Sequence, residues 1–238
     1  LRPLAFLYET YRPHAWWFEI YDVCRRVALG GVVVFCGKTP AHRGAAGVLF
    51  ALLRYCPAIL DDGAATRARV VATVDRIVAA QFASGNFPAE YNSTDDVLVQ
   101  WDHGAPGVAT ALAVAARALG NSSYLDAARR AMDCTWERGL LTKGLMNCHG
   151  IGGTTYAQLF VHKATGDDRY LFRALQFQRF VARTPELYDP EQGMRVVTPN
   201  PYAFWTGSFE SAATYWADFV AFAREPARAS MPLFETAI

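Results

Sequence analysis

The sequence lacks a large net charge of either sign, a closely spaced cysteine pair and a hydrophobic run long enough to cross a bilayer. Its 23 basic and 22 acidic residues leave a formal charge of +1, so no basic field indicates a nucleic acid partner. The five cysteines include no CxxC pair, which argues against a disulfide framework and indicates a reducing, cytoplasmic location. The apolar run at residues 27–36 is ten residues long, whereas a membrane-spanning helix needs roughly 20.

The sequence does have enough apolar residues for a buried core. They make up 52% of the chain against 19% charged residues, which is typical of a globular domain. We expect two parts: an appendage at residues 1–36 and a globular domain at residues 37–238. The appendage is dense in aromatic residues, and its Trp16 and Trp17 resemble membrane-interface anchors. Three interpretations of it stay open: membrane contact, packing on the main domain, and a fusion introduced by gene prediction.

The chain carries nearly the same turn twice. The stretch QWDHGAPG contains Asp102 and His103, and the stretch MNCHGIGG contains Cys148 and His149, 46 residues later. The same offset relates Gly120 to Gly166, Tyr124 to Tyr170, Leu125 to Leu171 and Ala128 to Ala174. A fixed offset that holds over many positions is the signature of a structural repeat.

Each repeat predicts a hairpin of one buried helix and one surface helix. Residues 105–119 are apolar nearly all round, which predicts an inner helix buried on most sides. Pro106 suits the first turn of this helix, and Gly120 suits its C-terminal end. Residues 124–138 are amphipathic and predict an outer helix, with Ser123 as its N-cap.

Looser copies of the hairpin flank this pair. One copy is predicted to begin near Gly44, with its outer helix at residues 64–82, and another is predicted to follow Gly207. Four hairpins stacked in chain order predict an all-α fold, an incomplete α/α toroid with the His-Gly turns at one end of the inner ring. The repetition then brings each turn to the same central site.

These turns carry residues that bind metals. Cys148 and His149 are an adjacent thiol and imidazole, and zinc accepts both ligand types. Because the repeat places Asp102 at the position equivalent to Cys148, one carboxylate is expected beside them. Catalytic zinc often keeps three protein ligands and one open position. Two alternatives stay open from these residues alone: a buried cysteine beside a hydrogen-bonded histidine, and Asp102 as the cap of the inner helix with no metal.

Four stretches together resemble the eukaryotic lanthionine synthetase C-like proteins. They are SGNFP at residues 84–88, LVQWDHGAPGV around Asp102, GLLTKGLMNCHGIGG around Cys148, and GDDRYLFRA from Gly166. The resemblance covers residues 43 to about 225. It implies an α/α toroid with a central zinc ion, and an enzyme that forms carbon–sulfur bonds.

The resemblance also implies substrates and site residues. In this family zinc activates a thiol, which adds to dehydroalanine or dehydrobutyrine; bacterial members close lanthionine rings, and eukaryotic members are associated with glutathione. The implied zinc ligands are Asp102, Cys148 and His149, with a supporting hydrogen bond from His103 and packing by Trp101. The implied partners are glutathione and a peptide or protein that contains a dehydroamino acid.

The chain departs from the family pattern at two places that bear on the chemistry. Asp102 stands where the family has a zinc-binding cysteine, so the ligand charge is kept while the softness of sulfur is lost. At the pair His42-Arg43 the family has histidine directly followed by glycine, so either His42 or Arg43 is the candidate catalytic residue. An arginine can steady an enolate but cannot donate a proton to it.

Other roles and functions stay open beside zinc-dependent glutathione addition. Lys143 and Arg195 are the candidate cations for binding the carboxylates of glutathione. A degenerate, metal-free member of the family would serve as a binding or scaffold module. A hydrolase of the glycosidase type would use Asp102 as general acid and would need a second carboxylate across the cavity, such as Glu90, Asp95 or Asp96.

Overall fold

The computed structural model describes residues 42–90 and 92–184, with side chains from residue 46 onward. Within these ranges the chain forms six α-helices and one short 3-10 turn, with no β-strand, so the predicted all-α fold class is confirmed. The predicted appendage at residues 1–36 and the predicted hairpin after Gly207 lie outside the described residues.

Three helical hairpins make up the described part of the chain. The inner helices are packed side by side, α1 against α3 and α3 against α5, and each is followed by its outer helix. This is the layered inner and outer arrangement of an α/α toroid. The helices are α1 (His42–Tyr55), α2 (Ala64–Ala79), α3 (Ala105–Leu119), α4 (Ser123–Arg138), α5 (Ile151–Thr165) and α6 (Asp168–Arg183), with the 3-10 turn Pro57–Asp61 between α1 and α2.

The burial of each helix follows its sequence pattern. In the inner helix α3, ten of the 15 residues are buried, because the helix is apolar nearly all round and has neighbours on several sides. The outer helix α6 buries four of its 16 residues, Tyr170, Ala174, Phe177 and Val181. Their spacing of three to four positions marks one face of a helix, so α6 has a single buried stripe and a wet side.

Two hydrophobic clusters form the core of the described residues. The larger cluster joins α1 to α4 and takes in part of α5 and α6, and the smaller one joins α5 to α6. Trp101 lies in the turn before α3 and packs against both clusters. The site that this turn helps to build therefore lies where the two clusters meet.

The start of α4 corrects the prediction of Ser123 as its N-cap. The helix itself begins at Ser123, and the side chain of the preceding Ser122 makes no capping hydrogen bond. The carboxamide oxygen of Asn121 instead accepts hydrogen bonds from the Ser123 N–H (3.1 Å) and hydroxyl (2.8 Å). The longer side chain of Asn121 reaches over the first turn, and this supplies the acceptor that the helix N-terminus needs.

Helix α2 ends at Ala79, three residues before the predicted end at residue 82. Beyond it the chain turns back, so that the Phe82 N–H donates to the Asn86 carbonyl at 2.9 Å. Gly85 occupies this turn at a φ of +88°, and a Cβ there would collide with the Arg130 carbonyl of α4. The glycine of the SGNFP stretch thus allows the loop to lie against the next outer helix.

No helix among residues 42–90 and 92–184 is long and apolar enough to cross a membrane.

We predict that Asn121→Ala lowers the free energy of unfolding by about 1 kcal/mol, the usual cost of losing a helix cap. The matched control is Ser122→Ala, which should change it by less than about 0.5 kcal/mol because Ser122 makes no capping bond. Urea unfolding followed by circular dichroism measures both values. Equal losses in the two variants would contradict the assignment of Asn121 as the capping residue.

Candidate metal centre

The two repeated turns lie in contact at the N-termini of α3 and α5. The Asp102 N–H in the first turn donates to the Cys148 carbonyl in the second at 3.2 Å. Glycine makes this approach possible: a Cβ on Gly153 would collide with the Asn147 carbonyl, and it would lie 2.7 Å from Cβ of Trp101. The repeat therefore does what the sequence predicts and brings the two turns to one place.

Three potential metal ligands meet at this contact. Oδ2 of Asp102 lies 3.1 Å from Nε2 of His149, and Sγ of Cys148 lies 2.8 Å from Nδ1 of the same ring. One ligand atom from each of the three residues falls within 4.8 Å of the others. In the part of the chain that the structure describes, these three residues form the group of acidic, cysteine and histidine side chains that is close enough together to hold a metal ion.

The donor set fits zinc. A carboxylate, a thiolate and an imidazole bound to one zinc ion at roughly 2.0–2.3 Å have donor atoms about 3.5 Å apart, and the donor atoms of this cluster lie within 4.8 Å of one another. The side chains of Asp102 and His149 are 28% and 27% exposed, while Cys148 is buried. The cluster is thus open on one side, and a fourth ligand can reach it from there.

The thiol of Cys148 is protonated at neutral pH in the metal-free protein. Burial, and after it the neighbouring Asp102 carboxylate, raise the pKa of Cys148 to about 11. The charge of Lys143 acts the other way and lowers it. A cation must therefore displace the thiol proton to bind here, as is usual for cysteine ligands.

His103 and Trp101 surround the cluster. Nε2 of His103 lies 3.6 Å from the Asp102 carboxylate, its Nδ1 lies 2.7 Å from the Asp102 carbonyl oxygen, and its ring meets the ring of His149 edge to face at 5.1 Å. Trp101 is half-buried, and its backbone carbonyl lies so close to Gly107 that no Cβ would fit there. Both residues stand where they can hold Asp102 and His149 in place.

Asn86 provides a cap for the N-terminus of α3, whereas the prediction from the sequence offers Asp102 in that role. The carboxamide oxygen of the fully buried Asn86 accepts the Ala105 N–H at 2.9 Å. Its Nδ2 donates to the Leu98 carbonyl at 3.0 Å and to Asp96. The Asp102 carboxylate lies beside the rings of His103 and His149.

Asp96 and Arg138 hold Asn86 in this position. The Asp96 carboxylate accepts hydrogen bonds from Asn86 (2.8 Å), Ser84 (2.6 Å) and Arg138 (2.8 Å). Partial burial opposes ionisation of Asp96, but these hydrogen bonds outweigh it and lower the pKa of the carboxyl group. A chain of polar contacts thus runs from the outer helix α4 to the turn that carries Asp102. Sequence reasoning missed it, although the SGNFP stretch was the available signal.

The other predicted site residues are placed less fully. His42 and Arg43 begin α1, but their side chains lie outside the described residues. Lys143 is exposed in the loop between α4 and α5, near enough to influence Cys148. Arg195 lies outside the described residues.

A cavity of about 300 Å³ adjoins the cluster at Asp102 and His103. It lies between the first half of α1 and the first turns of α3, beside the end of α2 and the loop at Phe87 and Pro88. Asp102 is the sole acidic residue among the described residues that line it.

Comparisons with known proteins match this chain to one family. The model of the lanthionine synthetase C-like proteins matches residues 40–204. A Danio rerio protein named glutathione S-transferase LANCL1 is 31% identical over 202 residues, which cover 82% of this chain and 45% of that protein. An Arabidopsis thaliana protein named LanC-like protein GCL1 is 35% identical over 146 residues, which cover 60% of this chain and 32% of that protein. The chain spans less than half the length of these two relatives.

We predict that the metal-free protein loses stability between about pH 9 and pH 11 through Cys148. The folded state holds this thiol proton more tightly than the unfolded chain does, so the contribution is complete below pH 9 and disappears as the pH rises past the folded pKa of about 11. The shift from 9.0 to about 11 corresponds to about 2–3 kcal/mol. Chemical unfolding in chelator, at intervals across this range, measures the loss.

Cys148→Ala should show a flatter pH profile, whereas Cys56→Ala, at an exposed cysteine, should match the wild type. Parallel profiles for the wild type and Cys148→Ala would refute the prediction.

We predict that Asn86→Ala lowers the free energy of unfolding by about 2–4 kcal/mol. The substitution removes the side-chain partner of the Ala105 N–H and of the Leu98 carbonyl, and it removes one of the three donors to the Asp96 carboxylate. The control is Ser93→Ala, at a residue whose hydroxyl makes an exposed contact with the Asp95 N–H, and should cost less than about 1 kcal/mol. A loss for Asn86→Ala no larger than that of the control would show that the network contributes little.

Proposed function

Because the chain belongs to the lanthionine synthetase C-like family, we propose that it binds zinc through Asp102, Cys148 and His149 and adds glutathione to dehydroamino acid residues. The acceptor would be dehydroalanine or dehydrobutyrine in a peptide or protein. The observation that carries the proposal is the meeting of three donor atoms within 4.8 Å at the repeated turns. The name of the Danio rerio relative, a glutathione S-transferase, supports the choice of thiol. A reducing, cytoplasmic compartment suits both the thiol and the absence of CxxC pairs.

The proposed reaction adds S–H across a carbon–carbon double bond. The thiol loses its proton, sulfur forms a bond to the β-carbon of the dehydroamino acid, and the π electrons move to the α-carbon, which takes up a proton. Zinc, when bound, supplies the positive charge that favours the thiolate over the thiol at neutral pH.

The residues of this chain have separate tasks in that proposal. Asp102 and Cys148 supply two negative charges, which would balance a divalent cation. His103 packs against His149 and contacts Asp102, and it would keep both in orientation. Lys143, which is exposed and close enough to influence Cys148, would attract a carboxylate of glutathione.

Proton delivery to the α-carbon is assigned to the start of α1. His42 is able to donate a proton to the developing enolate, whereas Arg43 is able only to stabilise its charge. The family has histidine directly followed by glycine here, and the extra arginine of this chain leaves the two residues as alternatives. Glutamine at either position would remove the catalytic group while keeping a polar side chain.

A metal-free role is the second candidate, and one observation favours it. The Asp102 carboxylate and the Cys148 sulfur each already contact a nitrogen of His149, so the three residues are held together by contacts that need no ion. In that case the chain would act as a binding or scaffold module. Metal content separates this candidate from the first.

The hydrolase alternative has less support. The Asp96 carboxylate is held by Ser84, Asn86 and Arg138, and it does not line the cavity beside Asp102. Glu90 does not line it either among the described residues. A glycosidase mechanism needs a second carboxylate facing the first across the substrate.

We predict that the purified protein binds about one zinc ion and that Asp102→Ala, Cys148→Ala and His149→Ala each lose it. Loss of one of three ligands should weaken binding by more than the roughly 10–100-fold that an outer contact costs. Asp102→Cys, which restores the family's ligand, should bind zinc at least as tightly as the wild type. Elemental analysis and competition with a chromogenic chelator measure stoichiometry and affinity.

Circular dichroism must show that each variant is folded, and Cys56→Ala serves as a cysteine control away from the site. Zinc-loaded protein should then join glutathione to a dehydroalanine peptide, detected by mass spectrometry. A folded wild type that takes up no zinc would support the metal-free candidate instead.

A further inference from the structure

The cavity beside Asp102 is chemically one-sided. Its wall is mostly apolar, and its ionisable groups among the described residues, Asp102 and His103, sit together at the end that meets the metal cluster. The hydroxyl of Thr110 also lines it but already donates to the Gly107 carbonyl at 2.7 Å. The apolar wall includes Ala46, Phe50, Ile77, Phe87, Pro88 and Val108.

The volume of the cavity fits an apolar group of the size of a large side chain. It measures about 300 Å³, roughly twice the volume of an apolar protein cavity known to bind benzene. Polar partners for ordered water are few along this wall, since Thr110 is engaged with its own helix. An apolar ligand is therefore the chemical class that the wall favours over water.

Gly47 leaves this cavity open toward solvent. It lies inside α1, lines the cavity, is exposed, and has no heavy atom within 4 Å of the position that a Cβ would occupy. Gly104 and Gly107, which also line the cavity, stand where a Cβ would collide with backbone oxygen atoms. Packing thus requires glycine at those two positions but not at Gly47. What glycine provides at position 47 is an unobstructed wall.

We propose that this cavity binds the apolar side chain next to the dehydroamino acid of the peptide acceptor, and that Gly47 sets the size of side chain it accepts. The identity of the ligand as a peptide rests on the proposed function. Consecutive residues of an extended peptide are about 3.3–3.6 Å apart along the chain, so a residue reacting beside Asp102 would place its neighbour at the cavity. The apolar wall would then select the neighbouring side chain.

The test compares two dye-labelled peptides that differ only in a leucine or an alanine next to dehydroalanine. Fluorescence anisotropy measures their dissociation constants with the full chain, without glutathione, both with zinc and with chelator. The wild type should prefer the leucine peptide by about tenfold or more, since three further carbon atoms are buried. Gly47→Leu should abolish that preference by filling the cavity.

Two variants guard against a folding artefact. Gly47→Ala should keep the preference and raise the melting temperature by about 2 °C, because alanine is the better helix former and meets no neighbouring atom. Ala72→Leu adds the same side chain to an exposed position of α2 outside the cavity and should bind both peptides as the wild type does.

The proposal is overturned if the wild type binds the two peptides equally or binds neither, or if Gly47→Leu retains the leucine preference. A further outcome is that the wild type binds the two peptides equally and that Gly47→Leu has a lower melting temperature. It would indicate that part of this chain already fills the cavity, and it would also overturn the proposal. The anisotropy measurement contains no thiol, so it does not depend on the reaction. A protein that shows the preference in this measurement but forms no thioether in the separate glutathione assay would refute the proposed function while leaving the site assignment intact.

Discussion

The contact between the two repeated turns is the constraint on which the rest of the structure depends. One backbone hydrogen bond, from Asp102 to the Cys148 carbonyl, joins segments that are 46 residues apart in the chain. Gly153 lets the two turns approach this closely, because a Cβ there would lie 2.7 Å from Cβ of Trp101 in the first turn. The inner helices α3 and α5 then have little freedom in how they pack, since both begin at this contact. The donor atoms of Asp102, Cys148 and His149 lie close together because the N-termini of α3 and α5 do.

The chain has Asp102 where the family has a cysteine, and this difference changes which groups can bind at the contact between the two turns. A carboxylate keeps the negative charge and accepts a hydrogen bond or ion pair from an imidazole, which a thiol does poorly. In this chain that pairing is visible at 3.1 Å between Asp102 and His149. The imidazole therefore has two partners, Asp102 and Cys148, and an incoming cation has to compete with both. The outcome of this competition decides whether the protein binds a metal ion or stays metal-free.

The sequence predicts the helices and the meeting of the two repeated turns, but it does not predict the side-chain hydrogen bonds that cap the helices. The repeat spacing predicted α3 and α5 and the meeting of Asp102 with Cys148, because equivalent positions in stacked hairpins lie side by side. It could not predict that Asn86 caps α3, since that contact depends on the path of the loop between α2 and α3. The same reason explains the wrong cap at α4: Asn121 and Ser123 are both good capping residues, and only the course of the turn decides between them.

Trp101 gives the arrangement a consequence for cooperativity. In a repeat protein, stability is the sum of the stability of each unit and of the interfaces between neighbouring units. Trp101 packs against both hydrophobic clusters. Its contribution to stability is therefore part of the interface between hairpins and not of any single hairpin. The chemistry lies in the same interface. A substitution that weakens the interface between hairpins would separate the residues of the site while each hairpin stays helical. A circular dichroism spectrum with unchanged helix content therefore does not show that the site is intact.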